Sequence, residues 1–260
     1  MRYQAILVEK RDAVCYLILN RPQRGNLLDM AMAEEIAEAC QQITDDDEAR
    51  LVLLAGAGGI FCCGEDLEEY RRGWGGAMEQ RRWPPARQAT VALAGLRLPI
   101  IAAIEGDAIG AGLELALCCD LRVASQEARF SLPQVAMGLI PAGGGTQRLP
   151  RLVGRGKALE MLLIAETLDA AQALSLGLVN RLTPRGDALA GAEEMARRIL
   201  ERAPIAVTYA KESVAKGMDA PLDQGLRLEA DLSIILQTTA DRDEGIRAFL
   251  EKRSPRFKGG

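Results

Sequence analysis

The chain reads as an α/β protein with a helical C-terminal segment, and three observations lead there. Short, fully apolar runs at residues 51–55 and 99–104, with a weaker one at 121–124, look like buried strands. They alternate with helical stretches of about 10–15 residues, the arrangement that favours parallel pairing. From about Ala190 onward the strand signals stop, and residues 191–202, 205–216, 222–239 and 242–252 all carry helical periodicity. The expected division is a core over residues 1–190 and a helical segment over 191–260. At 260 residues and 48% hydrophobic content the chain can bury a substantial core without metals or disulfides.

In chain order, residues 3–8 and Val14–Leu19 are apolar stretches separated by Glu9-Lys10-Arg11-Asp12, which predicts a strand pair joined by a charged turn. Asn20 to Asn26 is a polar loop. Asp29 can then cap a helix whose apolar face is Met32, Ile36, Ala39 or Cys40, and Ile43. The run Asp45-Asp46-Asp47-Glu48 ends that helix as a solvated turn. In the last segment Leu228, Leu232, Ile235, Leu236 and Thr239 share one face, the mark of an oligomerisation element.

Composition removes several classes of function. The net charge is -4 and aromatic residues make up only 4%, so neither a basic field nor a stacking surface exists for nucleic acid. No apolar run approaches the roughly 18 residues of a membrane span. The N-terminus alternates apolar and polar residues, unlike a secretory signal. A cytoplasmic protein is expected. The six cysteines, Cys15, Cys40, Cys62, Cys63, Cys118 and Cys119, show no CxxC spacing, so reduced buried thiols are expected and no metal. The chain has no histidine at all, which excludes Ser-His-Asp, Cys-His and HExxH chemistry. Acid–base work falls to Tyr, Lys, Cys or, above all, carboxylates.

Three glycine-bearing turns follow apolar stretches: Phe61 to Leu67, Ile109 to Glu114, and Pro141 to Thr146. None fits a nucleotide-binding GxGxxG, and Gly154-Arg155-Gly156-Lys157 lacks the earlier glycine of a P-loop. A glycine-to-helix turn can instead present free amides to a developing oxyanion, or simply allow close packing. Glu114 sits among Leu113, Leu115, Ala116 and Leu117, where burial would raise its pKa toward the range of a general acid or base.

The stretch GDAIGAGLELALCCDLRVASQEARFSLPQVAMGLIPAGGGTQR, from Gly106 to Arg148, resembles the signature region of the crotonase (enoyl-CoA hydratase/isomerase) superfamily. Asn20-Arg21-Pro22 with Asn26, FCCGEDLEEY, Leu174 to Val179 and Asp241 to Arg253 are similar to further family segments, so the likeness spans the chain. It implies a crotonase-type spiral of ββα turns, with a helical segment that assembles a homotrimer or a hexamer. It implies acyl-CoA chemistry of the kind fatty acid metabolism uses, with coenzyme A as part of the substrate and no separate cofactor.

By position, the resemblance makes the amides of Glu65 and Ala111 the oxyanion hole and Glu114 the acid/base. Where a hydratase carries a second glutamate, this chain has Gln134, whose amide can hold a water or a substrate oxygen but cannot exchange a proton at neutral pH. The aspartate of the dienoyl isomerases is replaced by Ala142. Asp66, Glu68, Glu69 and Tyr70 read as solvated positions on an exposed helix, and Glu65 either as an anion favoured at a helix N-terminus or as a side chain able to reach the pocket. Arg24, Cys63, Asp66, Leu67, Glu68, Phe257 and Lys258 form the implied CoA-binding set, the last two in a basic tail that is otherwise a disordered one. The expected reaction is hydration. The alternatives are double-bond isomerisation, decarboxylation, thioester hydrolysis, or CoA binding without catalysis. The segment from Arg71 to Arg87, with Trp74 and Trp83, gives no indication of acyl chain size.

Overall fold

The opening hairpin is tighter than the spacing of charges suggests. In the computed structural model, which describes residues 3–72 and 84–260, β1 (Ile6–Arg11) and β2 (Val14–Leu19) pair antiparallel with Arg11 opposite Val14. Glu9, Lys10 and Arg11 therefore lie on β1 rather than in a turn, and Asp12 and Ala13 alone reverse the chain. Charge is tolerated there because β1 is the outer strand of its sheet. Lys10 also reaches Asp46 and Glu48, at 2.8 and 2.9 Å.

The helix α1 (Met30–Thr44) starts where Asp29 accepts a hydrogen bond from the Met32 amide at 2.8 Å, and Met32, Ile36, Ala39, Cys40 and Ile43 are all buried. After it come β3 (Leu51–Gly56), α2 (Leu67–Arg72), α3 (Pro85–Ala94), β4 (Ile100–Ile104), β5 (Asp107–Ile109) and α4 (Ala111–Cys118). The core continues through β6 (Leu121–Ser125), β7 (Arg129–Ser131), α5 (Gly145–Val153), α6 (Arg155–Leu163), β8 (Leu168–Asp169), α7 (Ala170–Ser175) and β9 (Arg181–Thr183). Trp74 and Trp83 lie outside the described residues.

Six strands form one sheet in the order β1-β2-β3-β4-β6-β9, parallel from β2 onward. A second, small sheet has the order β5-β7-β8. Two successive passes show the repeat: β4 feeds the large sheet and β5 the small one before α4, and then β6 and β7 do the same before α5. This is the ββα spiral the resemblance implies. The uninterrupted apolar runs of β3 and β4 belong to strands buried on both faces.

At the centre lies α4, every residue of which is buried. Its C-terminal end is held by Arg122, itself only 3% exposed, which donates to the carbonyls of Cys119 and Leu178 at 2.6 Å and of Ala116 at 3.3 Å. A cation is favourable against the carbonyl end of a helix dipole.

The chain divides into two compact units, Met1–Leu96 with Ile100–Glu193, and Arg97–Pro99 with Glu194–Gly260. The division falls within α8 (Ala188–Leu200). The second unit contains α9 (Pro204–Gly217), α10 (Leu222–Leu236) and α11 (Ala240–Leu250). There α10 stops at Leu236, so Thr239 is not on its apolar face but caps α11, accepting from the Arg242 amide. Of Leu228, Leu232, Ile235 and Leu236, only Leu232 is buried. No described helix is long and apolar enough to cross a membrane.

Candidate active site

Local pairing of three segments builds the site. The loop after β3 runs beside β5, where Cys62 pairs with Ala108: the Cys62 amide donates to Asp107 O and Cys62 O accepts from Ile109, both at 3.0 Å. Three residues on, Glu65 pairs with Leu28, and the Leu28 amide donates to Gly64 O at 2.8 Å while Asp66 donates to Leu28 O at 2.9 Å. Glu65 is thereby fixed next to the start of α4. Gly110 caps that helix at φ 53°, and a methyl placed on it would lie 3.8 Å from the Cα of Gly64. Gly112 has no room for a side chain, since a Cβ there would stand 2.1 Å from Cys62 O. The first amides of α4, those of Ala111 and Gly112, have no acceptor within the helix and sit at its positive end.

Glu114 lies one turn into α4 and is 1% exposed. Its Oε1 accepts from the amides of Gly143 at 2.7 Å and Gly145 at 2.8 Å, whereas its Oε2 is buried with no hydrogen-bond partner. Burial pushes this carboxyl up from the ordinary glutamate value, against the amides of Gly145 and Gly143 and the charge of Arg148, which pull it down. Gln134 comes from the 3-10 turn Pro133–Met137 and is 3% exposed. Both its Oε1 and its Nε2 are buried without partners, and Nε2 lies 3.5 Å from where a Gly110 methyl would be. Glu114, in the first turn of α4, and Gln134, beside its Gly110 cap, thus hold three buried polar atoms without a protein partner. Buried polar groups are ordinarily satisfied, so such a group points to a bound ligand or water.

Does any known family share this arrangement? The family model described as Enoyl-CoA hydratase/isomerase matches residues 9–260. The chain belongs to that family. Among curated relatives, the crotonyl-CoA hydratase of Syntrophomonas wolfei is 37% identical over 259 residues, covering 99% of each chain. YngF of Bacillus subtilis, a putative enoyl-CoA hydratase/isomerase, is 41% identical over 96% of each chain. Among solved structures, the enoyl-CoA hydratase of Bacillus anthracis superposes with a TM-score of 0.93 at 38% identity, covering 99% of this chain and 100% of that one. The protein is an enzyme of the enoyl-CoA hydratase/isomerase family with the crotonase fold.

Within this family member, the other expected site residues divide. Asp66, read as solvated, is 8% exposed: its carboxylate accepts from Arg24 Nη2 at 2.5 Å and from the Glu68 amide at 3.1 Å. Glu69 is only half-buried, and its carboxylate accepts from the Met30 amide at 2.9 Å. Glu68 and Leu67 are exposed, and the side chain of Tyr70 lies outside the described set. Arg24 is therefore tied to Asp66 while remaining about half exposed. Glu65 and Cys63 are half-buried. All six cysteines are free, and burial pushes Cys40, Cys62 and Cys118 up to about 12, so these thiols are inert.

In the second unit, the basic tail is folded rather than disordered. Asp241 accepts from the amides of Lys258 and Gly259 at 2.7 and 2.8 Å, and Glu244 holds Arg253 at 2.6 Å. Phe257 lies against Gly245, where an added methyl would meet its ring at 3.4 Å. Sequence reasoning assigned no role to Arg148, or to the Gly143 and Gly145 amides that hold Glu114. The signal lies in the glycine turn Pro141 to Thr146, whose pattern allows either free amides or close packing and does not say that the amides meet Glu114.

Proposed function

We propose that this enzyme hydrates an enoyl-CoA thioester, holding the enolate with two backbone amides and moving the proton with Glu114. The observation that carries the reading is the state of Glu114. One oxygen is clamped by two amides and the other is buried without a partner, as are both polar atoms of the Gln134 amide. The amides of Glu65 and Ala111 would receive the thioester oxygen; one such donor is worth about 2.7–4 kcal/mol in the transition state. Glu114 Oε2 takes a proton from water, the water oxygen bonds to C3, and the π electrons move onto the thioester oxygen. The same proton then returns from Glu114 to C2, which restores the carboxylate. Gln134 orients the water through its amide.

Coenzyme A would run past Cys63 to Glu68, with Arg24 near its phosphates. Phe257 and Lys258 would reach the CoA of a neighbouring subunit in a trimer or a hexamer. Large exposed side chains of the second unit, among them Leu222, Ile234 and Phe249, support such burial between copies.

One observation favours a second reading. Gln134 cannot exchange protons, so a reaction that needs a single carboxylate, above all double-bond isomerisation, also fits. Incubation with a panel of enoyl-, malonyl- and aryl-CoA esters, followed by mass and by the ultraviolet absorbance of the conjugated 2-enoyl thioester, separates the two. Hydration adds one water to crotonyl-CoA, and isomerisation of a 3-enoyl ester leaves its mass unchanged. An unaltered crotonyl-CoA together with an isomerised 3-enoyl ester would replace the first reading by the second. A further check is Gln134→Glu, which supplies a second carboxylate and should raise hydration of crotonyl-CoA.

A further inference from the structure

We infer that Arg148 is a positioning residue for Glu114, stapling the glycine turn that clamps one carboxylate oxygen so that the other is left for the substrate. The turn Gly143-Gly144-Gly145 supplies both amides that meet Glu114 Oε1. None of its glycines has free room for a Cβ, and Gly144 also holds a positive φ. A Cβ on Gly143 would meet Ala86 O and the Thr90 methyl at 3.1 Å, and one on Gly145 would meet Pro141 at 2.9 Å and Glu114 Oε1 at 3.2 Å. Gly144 holds φ 106°, and a Cβ there would stand 2.1 Å from Arg148 Nη1.

Three consecutive glycines have the greatest backbone freedom a chain can have, so ordering them costs more entropy than ordering any other tripeptide. Something must hold them, and Arg148 does so twice. Its side chain donates from Nη1 to Gly143 O at 2.7 Å, and its backbone amide donates to Gly144 O at 2.8 Å. The guanidinium lies on the bare backbone of Gly144 while α3 backs Gly143 from another side. The amides are thereby aimed at Oε1.

The charge of Arg148 acts in the same direction, since it favours the ionised form of Glu114. The other titratable group against this carboxylate is the Cys118 thiol, which follows it by one turn of α4 and donates to Glu114 O. Burial keeps that thiol protonated, so Arg148 is the charge that counts.

This inference rests on Glu114 as the acid/base, and the test keeps the two apart. The pH dependence of kcat and the KM are measured for the wild type, Arg148→Met, Arg148→Gln and Arg148→Lys, with Glu114→Gln as the separate check on the carboxylate. Arg148→Met should lower kcat on the order of 10- to 100-fold, as expected for a misplaced catalytic group, with KM little changed. It should also move the Glu114 limb of the pH profile upward. Arg148→Gln, which can still donate to Gly143 O, should lose less kcat yet show the same upward limb, and it decides the matter if Arg148→Met does not fold. Arg148→Lys should restore the limb.

A kcat loss with an unmoved limb and no rescue by Arg148→Lys would reduce Arg148 to a structural role and overturn the inference. So would wild-type kinetics in Arg148→Met. If Glu114→Gln retains full turnover, the proposed mechanism fails instead, whatever the Arg148 variants do.

Discussion

Gly112→Ala tests how closely the loop after β3 must approach α4. The added methyl would stand 2.1 Å from Cys62 O and 2.8 Å from Cys62 Cβ, about 1.3 Å and 0.6 Å short of the 3.4 Å at which ordinary contact begins. Neither atom belongs to the tip of a flexible side chain. Cys62 O is already committed to the Ile109 amide, so the strain must move α4 or the loop as a whole. Overpacking of this kind costs about 1–3 kcal/mol, and each kcal/mol is worth roughly 2–4 °C of melting temperature for a chain of this size.

The larger effect should be on turnover. The displaced element carries the Ala111 amide at its start and Glu114 one turn on, and a misplacement of about 1 Å can cost 10²-fold in rate. The expected result is a modest fall in melting temperature with a fall in kcat on the order of 10²-fold, measured by thermal denaturation and by steady-state turnover of crotonyl-CoA. Wild-type kcat in a folded Gly112→Ala protein would show that the separation of loop and helix does not set the reaction geometry.

Arg122→Met should destabilise the fold by about 2–5 kcal/mol in urea denaturation, because it leaves the carbonyls of Leu178 and Cys119 buried without their donor. Replacing Lys258 together with Arg256, a second cation of the same basic tail, by Ala should weaken CoA binding and flatten its dependence on ionic strength in calorimetric titrations, since phosphate contacts are screened by salt. Light scattering at micromolar concentration should give the mass of a trimer or a hexamer. Glu114 also makes a pH prediction. Its folded value is raised, so the stability it contributes is fully present below the unfolded carboxylate value and is lost as pH rises through the folded one. Glu114→Gln removes that loss, and its melting temperature should exceed wild type above this window and converge with it at acid pH.

Much of the fold is visible in residue patterns because its large elements obey a single period. The runs that became β3 and β4 are wholly apolar because both faces are covered, and α1 shows its cap and its buried stripe in order. The small sheet escapes such reading, since β5 and β7 have three residues each and β8 has two, too few for any alternation to register. Glu114 stands out as the one charge in an apolar helix. Asp66 does not, because among Glu65, Glu68 and Glu69 it looks like part of a solvated acidic face. Its partner is Arg24, which approaches from a loop far away in sequence. The same limit hides Arg148, whose importance depends on where Gly143 and Gly145 point. It hides the folding of the tail as well, whose basic residues fit a CoA contact or a disordered end equally until Asp241 and Glu244 are seen to hold its backbone and Arg253.

The most direct measurement of the central claim is the saturating turnover of crotonyl-CoA by Glu114→Gln, with binding of CoA measured alongside. Glutamine keeps the shape of the side chain and an oxygen for the Gly143 and Gly145 amides but cannot carry the proton. General acid–base help is typically worth 10²- to 10⁴-fold, so kcat should fall by about that factor while CoA affinity stays at the wild-type value. Turnover equal to wild type in this variant would contradict the account, leaving the reaction to the oxyanion hole or to another group.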